Sequence, residues 1–261
     1  MKEYDILQDA IIKAGDAIRE ISKKDIIKTQ KSNNSPLTAA DLSANQILKE
    51  RLLGCFPEYG WLSEETHDDL TRLEKKRVWI VDPLDGTKEY INKIPEYVVS
   101  VALVEDGVPI LAAILNPATE DLFYAMKGKG AWLNEKSISC DYSVRDKIEV
   151  LASRSEINKG DWQRFTDRFD VKPMGSIAYK LALVAASQTH ATFSLEPRSE
   201  WDIAAGVLLI QEAGGIIHDL SGNAFIFNQK NIRVNGIIAS SKNVYPEMMK
   251  KIEPELMTAC A

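Results

Sequence analysis

Thirteen residues constrain this chain more than any others: 78–90, Val-Trp-Ile-Val-Asp-Pro-Leu-Asp-Gly-Thr-Lys-Glu-Tyr. The apolar run Val78 to Val81 reads as a buried strand that ends at Asp82-Pro83, and Asp85-Gly86-Thr87 reads as a turn leading into a helix. Two carboxylates three residues apart are thus placed where a strand gives way to a helix. A buried charge without a partner is costly, so Asp82 and Asp85 require a cation or solvent, and the rest of the fold must supply one or the other.

The remaining sequence supplies enough material for a large core. With 261 residues, 45% of them hydrophobic and 27% charged, the composition is that of a globular protein. No apolar run is long enough for a membrane span. The first ten residues, MKEYDILQDA, have no apolar signal-peptide segment. Cys55, Cys140 and Cys260 are scattered and form no CxxC, which points to a reduced, cytoplasmic setting. A net charge of −6 speaks against nucleic acid or an anionic membrane as the main partner, but not against a small anionic substrate beside a metal.

Tyr4, Leu7, Ile11, Ala14, Ile18 and Ile21 alternate at three and four, which predicts a helix over 3–22. A second helix is expected from Thr38-Ala-Ala-Asp41, with Ala44, Ile47, Leu48 and Leu52 as its face, after a mobile loop over 28–36. Asp106-Gly107 between two apolar runs predicts a hairpin. Further strands are expected at 59–62, 122–126, 150–153, 191–195, 216–218 and 236–240. Helices are expected over 156–169, from Gly175-Ser176 to about Ala186, over Trp201 to Ala213, and over Val244 to Ile252. A subdomain boundary is placed near 138–146, dividing an N-terminal α+β part (1–140) from a C-terminal α/β part (141–261). His67-Asp68-Asp69 reads as solvated surface.

The chemistry follows by elimination. His67, His190 and His218 are isolated, and neither HExxH, GxSxG, GxGxxG nor a P-loop is present. Oxygen ligands remain: Asp82, Asp85, the pair Glu64-Glu65, and Asp202 at a helix start. Such a set suits Mg²⁺, a hard cation that takes carboxylates, waters and phosphate oxygens. The turn at Gly86-Thr87 adds backbone amides that favour an anion. Carboxylates for metal beside amides for phosphate is the layout of metal-assisted phosphoryl hydrolysis. Taken singly, each residue has a plainer reading: Asp41 as a helix cap, Asp82-Pro83 as an Asx turn, Asp202 as a first-turn acid.

Taken together, the motifs resemble a known family. Trp79-Ile-Val-Asp82-Pro-Leu-Asp85-Gly-Thr87 is similar to the first signature of the inositol monophosphatase superfamily. Trp201-Asp202-Ile-Ala-Ala-Gly206 through Gly215 is similar to the second. Ser63-Glu64-Glu65, Ser35-Pro-Leu-Thr-Ala-Ala-Asp41 and Gly175-Ser176 to Lys180 lie in the family's order. The resemblance implies an α+β fold of αβαβα layers, with two sheets and the site between them. It implies that Glu64, Asp82 and the Leu84 carbonyl bind one Mg²⁺, that Asp82, Asp85 and Asp202 bind a second, and that a weaker third sits near Glu64. Thr87, backed by Asp41, would orient the attacking water, and the Gly86 and Thr87 amides would hold the phosphate. Ser176 and Lys180 would contact the rest of the substrate. Lithium sensitivity and a homodimer are implied on the same basis.

Asp-Gly-Thr-Lys88-Glu89-Tyr90 is most similar to the 3′(2′),5′-bisphosphate nucleotidase branch, which implies hydrolysis of adenosine 3′,5′-bisphosphate to AMP. Phe193 to Arg198 matches neither branch clearly. An inositol-1-phosphate or sugar-phosphate phosphatase therefore stays open as the alternative, and a non-catalytic regulatory protein on this fold as a more distant one.

Overall fold

A computed structural model describes residues 2–24, 28–30, 36–142 and 147–259. The three-four spacing at the N-terminus forms helix α1 (Lys2–Ser22), with Leu7, Ile11, Ala14 and Ile18 buried. Helix α2 (Ala39–Cys55) packs beside it and buries Ala44, Leu48 and Leu52. Both cover one face of a seven-stranded sheet: β1 (Gly60–Ser63), β2 (Arg77–Asp85), β3 (Val98–Glu105), β4 (Val108–Asn116), β5 (Asp121–Met126), β6 (Gly130–Leu133) and β7 (Lys136–Ile138). Only β1 and β2 run parallel; the later strands are an antiparallel meander in sequence order.

Strand alternation sorts the core. Trp79, Val81, Val99, Val101 and Leu103 face α1 and α2. Val78, Ile80, Ala102 and Val104 face the other way, onto helices α5 (Ile177–Ala185) and α6 (Glu200–Glu212). Each buried Val, Leu or Ile among them stabilises the fold by about 2 kcal/mol. Beyond these helices lies a five-stranded sheet in the order β9-β8-β10-β12-β11, from β8 (Glu149–Ser153), β9 (Asp170–Met174), β10 (Ala191–Ser194), β11 (Ile216–His218) and β12 (Ile237–Ser240). Ile237 and Ala239 face α5 and α6, while Ile238 and Phe193 face the outer layer of Trp162, Phe165, Met248 and Ile252. The layers therefore run α-β-α-β-α. Helix α3 (Thr87–Ile91) follows β2, α4 (Arg154–Lys159) follows β8, and α7 (Tyr245–Ala259) closes the chain.

Several local expectations change. Strand β2 does not stop at Asp82-Pro83 but continues to Asp85, with its register against β3 broken between Asp82 and Asp85. Pro83 has no N–H for the ladder, so the irregularity falls where pairing was already lost. Within the expected loop, Lys28–Gln30 pairs antiparallel with Pro36–Thr38; residues 31–35 lie outside the described set, as do Cys260 and residues 143–146 of the expected boundary. The 156–169 stretch is a short α4 and a 3-10 turn at Gln163–Phe165, separated by Gly160 in the left-handed region. Asp68 is not plain surface: it accepts from Nε and Nη2 of Arg72, a side chain only 1% exposed, which also donates to Asn228 Oδ1 and the Gln229 carbonyl.

Candidate functional site

Two strand ends and three helix starts meet at one cavity of about 330 Å³, lined among others by Glu64, Asp82, Leu84, Asp85, Gly86, Thr87, Ser176, Lys180 and Asp202. The parallel register explains the first pair. Ser63 lies opposite Val81, and the Glu64 amide donates to the Val81 carbonyl, so Glu64 emerges beside Asp82. Asp85 closes β2 and Thr87 opens α3. Asp202 arrives from 117 positions further along because α6 packs tightly on α5. At Gly206 a Cβ would sit 2.5 Å from Leu181 Cδ1, so only glycine permits this approach.

Each acid is held by one oxygen. Asp82 Oδ1 accepts from the Leu84 amide at 3.0 Å. Asp85 Oδ2 accepts from Ser176 Oγ at 2.6 Å and the Ala178 amide at 2.8 Å. Asp202 Oδ2 accepts from the Ser199 amide at 2.8 Å, within a capping box. Asp82 Oδ2, Asp85 Oδ1 and Asp202 Oδ1 take no hydrogen bond among the described residues. The plainer reading of Asp202 as a first-turn acid is thus true of one oxygen and leaves the other available.

Asp41 divides in the same way. One oxygen accepts from the Thr38 amide and hydroxyl, completing the cap of α2, and the other accepts from Thr87 Oγ1 at 3.0 Å. Asp41 is 1% exposed and does not line the cavity; it acts on it through Thr87.

The electrostatics record the crowding. Burial, then the charges of Glu64, Asp85 and Asp202, push the Asp82 carboxyl well above its ordinary value. Burial and then Asp85 push Asp202 up to about 7. Burial, with Arg198 next, brings the Lys180 ammonium down to about 8. Among the described residues no three acidic, histidine or cysteine side chains are already drawn into a closed ion cage. The donor set nevertheless fits a hard divalent cation: it is all oxygen, one oxygen of each aspartate is uncommitted, and their mutual repulsion is what a cation would relieve.

Ser176, the N-cap of α5, has φ 50° and ψ 119°, a sparsely populated conformation for a residue with a side chain. Its hydroxyl accepts from the Tyr179 amide while donating to Asp85, so it works through that acid. Gly86 serves packing as much as any ligand. Its φ is +97°, and a Cβ would lie 2.6 Å from the Glu96 carbonyl. Gly86→Ala is expected to cost about 2 kcal/mol or more, read from urea unfolding; an unchanged midpoint would refute this account.

Sequence reasoning missed Arg198, Glu89, Ser153 and Ser155 in the lining. Arg198 carried a signal: a cation just before the Trp201-Asp202 motif, in the stretch that matched neither branch.

The fold and the shared cavity define a layered phosphatase, and the chain belongs to the inositol monophosphatase family, whose model matches residues 2–256. Enzymes of this family are metal-dependent, usually on Mg²⁺. Among particular relatives, the chain is 32% identical over 229 residues to the 3′(2′),5′-bisphosphate nucleotidase CysQ of Salmonella typhimurium, covering 85% of this chain and 92% of that protein. It is 33% identical over 232 residues to the Nus factor SuhB of Xylella fastidiosa, covering 83% and 82%. The solved structure of an IMPase from Thermotoga maritima matches with a TM-score of 0.86 at 25% identity, covering 99% of this chain and all of that one. No helix among the described residues is long and apolar enough to cross a membrane.

Proposed function

We propose that this chain is a Mg²⁺-dependent phosphomonoesterase that hydrolyses adenosine 3′,5′-bisphosphate to AMP and phosphate. The observation that carries the reading is that one cavity is lined by Glu64, Asp82, Asp85 and Asp202 together with Leu84, Gly86, Thr87 and Lys180. In this reading Glu64, Asp82 and the Leu84 carbonyl hold one ion, Asp82, Asp85 and Asp202 hold a second, and a weaker third sits near Glu64. When bound, Mg²⁺ supplies charge stabilisation of the phosphoryl oxygens and acidifies water.

The chain's own residues do the positioning. Thr87 Oγ1 lies 3.0 Å from an Asp41 oxygen and 3.1 Å from the Leu84 carbonyl; its one proton goes to one of these two acceptors, and its lone pairs are left to accept from the attacking water. Gly86 and Thr87 amides hold the phosphate. Ser176 fixes Asp85, and Lys180 places a cation on the substrate side of the cavity. The nucleotide assignment is supported by Lys88-Glu89-Tyr90 and by the CysQ relative. The test is kcat/KM for adenosine 3′,5′-bisphosphate, inositol 1-phosphate and a sugar phosphate on one purified sample. The nucleotide is expected to lead by about tenfold or more, which is about 1.4 kcal/mol of transition-state preference. Equal or better turnover of inositol phosphate would make this an inositol monophosphatase in activity as well as in family.

A further inference from the structure

One cation lining the cavity has no role in the scheme above. Arg198 precedes Asp202 by four positions, on a short strand paired with Val234. Its Nε and Nη2 donate to Ser194 Oγ, and Nη2 also pairs with Glu156 Oε1. Glu156 is 8% exposed, and its other oxygen accepts from Trp162 Nε1 at 2.9 Å. The anchor is therefore itself anchored. Nη1 donates no hydrogen bond among the described residues.

The strongest guanidinium–carboxylate geometry gives the acid two parallel N–H groups. Here Glu156 receives Nη2 alone, Nε goes to a serine, and Nη1 stays uncommitted in a side chain that lines the cavity. A guanidinium stays charged at all working pH values, and one already immobilised loses little entropy on binding. The same cavity is lined by two further cations, Lys88 and Lys180, and by Ser155, whose hydroxyl accepts from Lys88 Nζ at 3.3 Å.

We infer that Arg198, positioned by Glu156, is a specificity-determining residue that binds a second phosphate of the substrate, distinct from the one hydrolysed. The inference rests on the nucleotidase reading only for what joins the two phosphates.

Two matched pairs test it: adenosine 3′,5′-bisphosphate against 3′-AMP, and inositol 1,4-bisphosphate against inositol 1-phosphate. The wild type is expected to favour the bisphosphate member of the nucleotide pair. Arg198→Met is expected to remove about tenfold of that preference, mainly through KM, as loss of a charge-assisted hydrogen bond would. Glu156→Gln keeps the guanidinium but leaves one neutral acceptor to serve both Arg198 and Trp162, which weakens the anchor, and is expected to remove part of the preference in the same direction. Arg198→Lys, which keeps the charge without the fork, gives a milder change and is expected to lose several-fold; it decides the matter if the methionine variant melts early. A bisphosphate preference that survives these variants overturns the assignment and leaves the nucleotidase reading intact. No preference for a second phosphate in either wild-type pair also overturns it. A preference confined to the inositol pair and lost in Arg198→Met supports the Arg198 assignment and overturns the nucleotidase reading instead.

Discussion

Asp85→Asn is expected to lower kcat by roughly a thousandfold or more, the scale seen when a preorganised charge-stabilising group is removed. The geometry makes this a clean charge deletion. Asp85 Oδ2 is fixed by the Ser176 hydroxyl and the Ala178 amide, and an asparagine carbonyl can accept both. Its NH₂ then takes the place of Oδ1, presenting a donor where the proposed ion needs an acceptor. The backbone and the α5 cap have no reason to move. Removing this charge also relieves the repulsion felt by Asp82 and Asp202, so the variant without Mg²⁺ is expected to melt no earlier than the wild type. Phosphate release with saturating Mg²⁺ is the measurement. Undiminished turnover would remove Asp85 from the metal site, and recovery at higher Mg²⁺ would show that it sets affinity alone.

How much of this was legible beforehand differs by residue. Asp82, Asp85 and Thr87 lie within one short stretch whose apolar lead-in and Gly86 announce a strand and a turn, so local physics located them. Glu64 is tied to Asp82 by a parallel register that no local pattern encodes. Asp202 is tied to both by α5–α6 packing through Gly206 and Leu181. Elimination left both as candidate oxygen ligands, but only the family resemblance assigned them to ions shared with Asp82 and Asp85, because long-range pairing is not written in spacing. The same holds for the five layers. Alternation along β2 shows a strand buried on both faces, but not which helices cover each. Asp41 and Asp202 show why the choice between cap and site was a false one: a carboxylate has two oxygens, and each residue uses one to cap its helix. Arg198 escaped notice because its meaning depends on Glu156, Ser194 and Trp162, which come from three different elements.

Asp202→Asn is expected to separate metal binding from folding through pH. The Asp202 carboxyl is raised to about 7 by burial and by Asp85, and Asp82 is raised in the same direction. An acid whose folded pKa lies above its unfolded value favours the fold when protonated. Its contribution is fully present below about pH 4, the ordinary carboxylate range, and is lost as pH rises through about 7. In chelator, the wild type should therefore lose stability relative to Asp202→Asn between about pH 5 and 7.5. Comparing the two proteins cancels carboxylates shifted the other way, such as Asp68 beside Arg72. Mg²⁺ selects the ionised form, so it should raise the wild-type Tm by about 5–10 °C near pH 7.5, at roughly a hundred times its Kd, and by much less near pH 5. In Asp202→Asn the Mg²⁺ increment should shrink at both. Asparagine is the informative replacement because its carbonyl still accepts from the Ser199 amide, whereas alanine would also remove a helix cap worth about 1 kcal/mol. If Asp202→Asn in chelator near pH 7.5 melted well below the wild type, its carboxylate would be serving the helix and not a cation.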